Sequence, residues 1–160
     1  MDTAMFTASI NGEDLRQVVP YASGVSHFDW QSPVDMLATF RVDNTIMNHV
    51  SFKDGRADYR IIGAEILEGD GHCTFSPGKK WFATDRNHAD TLEKSLWIYN
   101  IKSNDYLKIG QMPMFEKKYL GGDLRCDLHP RWNRKGNQLC FDALDSRTRT
   151  RQLHVAYIDF

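Results

Sequence analysis

A partial β-propeller is the fold this 160-residue chain predicts, and three observations carry the prediction. A fourteen-residue pattern occurs three times without a gap: "HFDWQSPVDMLATF" from His27, "HCTFSPGKKWFATD" from His72 and "HPRWNRKGNQLCFD" from His129. Each copy is followed by short apolar runs of strand type, set off by turn residues. The chain also carries 9 Phe, 6 Tyr and 4 Trp, side chains that suit sheets better than helices. Four short antiparallel strands in a repeating unit of about 40–50 residues are the mark of a propeller blade.

The elements follow in order. Residues 1–22 ("MFTASINGEDLRQVV") read as the third and fourth strands of one blade, joined by a turn at Asn11-Gly12. Residues 23–68 form the next blade. In it the pattern at His27 gives two strands around the turn Ser32-Pro33, then "NHVSFK" and "ADYRIIG". Residues 69–122 repeat this with the turn Ser76-Pro77-Gly78, then "SLWIYNI" and "YLKIG". Residues 123–160 contain the third copy, turning at Lys135-Gly136-Asn137, and one further strand, "RQLHVAYI". The polar stretch 85–95, "DRNHADTLEKS", reads as an inter-strand loop, and 111–123 as a long connection between blades. No helix of consequence is expected. About three four-stranded blades cannot close a ring, which takes about 4–8. Missing N-terminal blades, or self-association with another copy, are therefore expected to complete it.

Composition narrows the function classes. A net charge of −1 offers no basic field, so nucleic acid is not an expected partner. Three cysteines without a CxxC pair argue against a disulfide framework or a zinc ribbon. No apolar run reaches the ~18 residues of a spanning helix, so no membrane partner is expected, and the opening residues lack a signal-peptide core. The expected compartment is the cytoplasm, with the periplasm as the alternative.

The three histidines fall at the start of the innermost strand of their blades, the strand that lines a propeller's channel. His27, His72 and His129 would then face one shared space, an arrangement that suits a metal site or acid–base chemistry. Asp127, two residues before His129, adds an oxygen donor on the same strand face. A plainer reading competes, because propeller histidines near a blade entrance often only brace a loop. Trp30, Phe75 and Trp132 read as packing between blades, and the cysteines as small buried hydrophobes.

At "VSHFDW", "GHCTFSPGKKWFATD" and "CDLHPRWNRKGNQLCFD" the chain resembles the oligogalacturonide lyases. These are seven-bladed propellers that cleave short galacturonate chains by β-elimination with a divalent metal, usually Mn2+. The resemblance spans most of residues 20–160. It implies His27 as the catalytic base, and His72 and His129 as metal ligands. The family's Gln-x-x-His-x-His-Pro segment reads here as Leu124 to Pro130, with Leu124 for the glutamine and Asp127 for the first histidine. A ligand set of His72, Asp127 and His129 follows. Arg125 and Arg131 flank His129 and would clamp a substrate carboxylate through paired hydrogen bonds. The expected function is metal-assisted lysis of oligogalacturonate or a related uronate oligomer. The alternative is a non-catalytic, TolB-like propeller binding module.

Overall fold

The computed structural model describes residues 2–43 and 45–159. Its architecture is all-β, in four antiparallel sheets of two, four, four and three strands. The chain divides into two compact units, Met1–Asp70 and Gly71–Phe160. No helix among the described residues is long and apolar enough to cross a membrane.

The first unit holds two sheets. Strand β1 (Met5–Thr7) pairs with β2 (Arg16–Val19), and the turn between them contains Gly12 at φ 82°. The second sheet is a meander of β3 (Phe28–Trp30), β4 (Asp35–Arg41), β5 (Met47–Lys53) and β6 (Arg60–Ile62). Strand β4 is buried along five successive residues, so it is packed on both faces and does not alternate. Met5, Val18 and Val19 of the first sheet pack with Met36, Ala38, Phe40, Val50 and Phe52 of the second. Tyr59 meets Phe40 and Phe52 edge-on at 5.2 and 5.7 Å between ring centroids, and its hydroxyl donates to the Val18 carbonyl at 2.8 Å.

The second unit repeats the plan. Strands β7 (Thr74–Phe75), β8 (Trp81–His88), β9 (Glu93–Asn100) and β10 (Tyr106–Pro113) form one sheet. A connection with a 3-10 turn at Lys117–Tyr119 leads to β11 (Arg131–Trp132), β12 (Gln138–Leu144) and β13 (Arg151–Tyr157). Ala83, Leu96 and Ile98 pack against Leu139, Phe141 and Ala143, with Met114, Cys126 and Leu128 of the connection sealed among them. Cys73 is also buried, whereas Cys140 is half-buried, and all three cysteines are free thiols.

The hairpins that open the three repeats share one device. Ser32, Ser76 and Asn133 each stand at the turn, and their side-chain oxygens accept from the returning backbone at Asp35 (2.9 Å), Trp81 (3.3 Å) and Gln138 (3.2 Å). Differing turn sequences thus do one job.

Two sequence expectations need correction. Residues 85–95 are not a loop: β8 continues to His88, β9 begins at Glu93, and only 89–92 turn. Three of the polar residues there are interior groups, Asp85, Lys94 and Ser95 at 5%, 0% and 0% exposure, and each has a polar partner. The connection after the second sheet is also shorter, because β10 runs to Pro113 through a register shift between Lys108 and Gly110.

Equivalent positions differ in cover. Leu96 and Leu153 each lie across the sheet from an aspartate, Asp85 and Asp142. Leu96 is sealed beneath the neighbouring sheet, whereas Leu153 is 66% exposed, and Val155 and Tyr157 on the same face of β13 are exposed as well.

Candidate metal centre

The site lies in the second unit, where two repeat histidines meet. His72 precedes β7 and His129 precedes β11, and their ring centroids are 3.9 Å apart with the planes tilted by 55°. With Asp127 they offer three donor atoms within 4.8 Å of one another. Donors bonded at about 2.1 Å to one ion lie at most about 4.2 Å apart, so small side-chain rotations close the set.

Backbone and carboxylates hold this geometry. Asp85 stands on β8 directly opposite His72, and its carboxylate accepts from both the His72 backbone N–H (2.8 Å) and the ring Nδ1 (3.0 Å). The other oxygen accepts from the backbone N–H of Leu128 at 3.1 Å and faces that of His129 at 3.4 Å. One buried carboxylate therefore ties the two histidine segments together. Burial pushes Asp85 up, but the His72 hydrogen bonds and charge outweigh it and hold the carboxyl at about 2. Because the Nδ1–H of His72 donates to Asp85, coordination by His72 falls to Nε2, the carboxylate–histidine arrangement common behind metal ligands. Burial, then the neighbouring His72, lowers the pKa of His129, which favours the neutral imidazole that a metal requires. His129 sits at φ 43°, ahead of Pro130, so the segment is not extended there and strand alternation does not govern it.

Asp127 is less simply placed. It is buried, and Lys94 Nζ, wholly buried on β9, lies 2.5 Å from its Oδ1. Arg125 Nε lies 2.5 Å from Oδ2. The imidazoles thus fit a divalent first-row ion, while the carboxylate already carries two cationic partners.

The remaining sequence-predicted residues are placed as follows. Arg125 is the exposed partner of Asp127, and Arg131 is an exposed residue opening β11. His27 belongs to the first unit, where its backbone N–H donates to Thr39 Oγ1 at 3.1 Å. Thr39 Oγ1 donates in turn to Asp70 at 2.7 Å, and the His27 ring lies 3.7 Å from the same carboxylate. Thr39 therefore answers His27 as Asp85 answers His72. Sequence reasoning missed Asp85 and Lys94 as parts of the site. A signal for Asp85 existed, since the fourteen-residue pattern ends in aspartate at both Asp85 and Asp142.

No family model matches the sequence, and no curated protein matches it either. Solved structures do match in fold. TolB from Acinetobacter baumannii superposes with a TM-score of 0.69 at 12% identity, over 96% of this chain and 35% of its own. A protein named as a TolB from Agrobacterium tumefaciens gives 0.70 at 15% identity, over 98% of this chain and 52% of its own. At such identities the likeness speaks for the fold alone. The chain is a partial β-propeller of TolB-like architecture, spanning about a third of one of these matched proteins and about half of the other.

Proposed function

We propose that the chain is part of a propeller binding module and holds a divalent first-row metal ion at the heads of β7 and β11. His72 and His129 are its donors, and the Asp127 carboxylate adjoins them. The observation that carries the reading is the meeting of two imidazoles from separate repeats, one of them oriented by a buried carboxylate. The TolB-like architecture supports the binding-module part. Bound metal would present open coordination positions to a ligand. Elemental analysis of the purified protein, stripped with chelator and reloaded, should find one ion per chain. Joint replacement His72→Ala and His129→Ala should abolish uptake; stoichiometric uptake in that variant would reject the site.

A second reading is favoured by one fact: His72, Asp127 and His129 are the positions to which the lyase resemblance assigns the metal. In it, Mn2+ stabilises the charge that builds on a uronate carboxylate during β-elimination, Arg125 and Arg131 bind substrate, and His27 takes the C5 proton. The protein's remaining blades, or a second copy, would complete the channel. Full-length protein incubated with oligogalacturonate should then develop the absorbance of the C4–C5 double bond. His27→Ala should lower that rate by about 10²–10⁴ at unchanged metal content. Full-length, metal-loaded protein that yields no such product would exclude the lyase reading and leave the binding module.

A further inference from the structure

We infer that Asp127 is the counter-ion of Lys94 and not a ligand of the metal, so that the ion is held by the two imidazoles, with solvent or ligand completing its shell. The inference rests on the site holding a metal at all. Lys94 points from β9 into the interior with no exposed surface, and Asp127 Oδ1 lies 2.5 Å from its Nζ. A buried ammonium persists only where a negative partner stays beside it. Turning that oxygen towards a divalent cation would strip Lys94 of its compensation and add two positive charges beside it. The second oxygen gives no easier route, since Arg125 Nε lies 2.5 Å from it. The histidines meet no such conflict. Asp85 fixes His72 through Nδ1 and fixes the backbone of Leu128 and His129, so both rings are held without any help from Asp127.

This division changes which metal the site prefers. Mn2+ and Mg2+ look for carboxylate and water oxygens, and here the carboxylate is engaged elsewhere. A pair of imidazoles suits Zn2+, Ni2+ or Cu2+. The site therefore departs from a manganese centre, although the residue types in it would permit one.

Zn2+ binding by the metal-stripped protein, measured in competition with a chromophoric chelator, tests this. The informative variant is Lys94→Met with Asp127→Leu, which removes both charges together and leaves neither one buried alone. Zn2+ affinity within about threefold of wild type is expected there, against a loss of about 30-fold or more in His72→Ala and in His129→Ala. Circular dichroism would verify that each variant is folded. A loss in the double variant as large as in the histidine variants would make Asp127 a ligand and overturn the inference. If wild-type protein takes up no Zn2+, the metal reading itself fails, and the inference with it.

Discussion

Replacing Asp85 with asparagine tests the centre of the second unit with little change of shape. The carboxylate accepts from the His72 ring and backbone and from the Leu128 backbone, and lies 3.4 Å from the His129 N–H. An amide keeps one accepting oxygen but turns an NH2 group towards donors on the other side. Two routes give the cost. Hydrogen bonds to a charged group contribute about 1.5–3 kcal/mol each, and a buried donor left unmatched costs about 1–3 kcal/mol. Independently, a carboxyl held at about 2 instead of 3.8 stores about 2 kcal/mol at 1.36 kcal/mol per pH unit. The group is buried, so solvent screening does not reduce this. Asp85→Asn should therefore lose about 2–3 kcal/mol at pH 7. The folded-state value lies below the unfolded one, so the stability is present above about pH 4 and fades as pH falls towards 2. Urea unfolding followed by tryptophan fluorescence at pH 7, 5 and 3 should show wild type and variant converging at the acid end. A loss below about 0.5 kcal/mol at pH 7, or curves that stay parallel down to pH 3, would refute the account.

Two further outcomes follow from the fold. Leu96→Ala should cost about 2–5 kcal/mol in chemical denaturation, because the side chain is sealed between sheets. The equivalent Leu153→Ala should stay within about 0.5 kcal/mol, its side chain being mostly in solvent. Gly12→Ala should cost about 1 kcal/mol through its φ of 82° alone, as a Cβ there meets nothing within 4 Å. A neutral result in thermal melts would contradict that backbone conformation.

The repeat was the most legible part of the sequence, because turn chemistry and hydrophobic runs act locally. The strands named from "NHVSFK", "SLWIYNI" and "RQLHVAYI" all exist, and each extends beyond or ends within one or two residues of the stretch read. What stayed hidden depended on pairing across distance. Asp85, Lys94 and Ser95 look like surface residues until their partners are known, and the contacts of Asp85 with Leu128 and of Lys94 with Asp127 span 43 and 33 residues. Hydrophobic patterning treats a charge as exposed, and it fails where two charges bury each other. Likewise, one strand face for Asp127 and His129 followed from strand alternation, which the left-handed turn at His129 interrupts. Arg125 and Asp127 meet through an ion pair instead.

The bridging carboxylate also sets an order of assembly. Every sheet pairs strands that are neighbours in sequence, so each can form soon after its own residues are available, at small loop-closure cost. The bonds from Asp85 to Leu128 and from Lys94 to Asp127 cannot, since they wait for the chain to supply the next repeat. The sheet of β7–β10 must therefore exist for a time with Asp85 matched by His72 alone and Lys94 not yet matched by its carboxylate. During synthesis that interval runs from the completion of β10 at Pro113 until Leu128 emerges, about 15 further residues, or about 1–3 seconds at about 5–20 residues per second. Backbone protection at Leu128 should consequently appear after protection across β8 and β9.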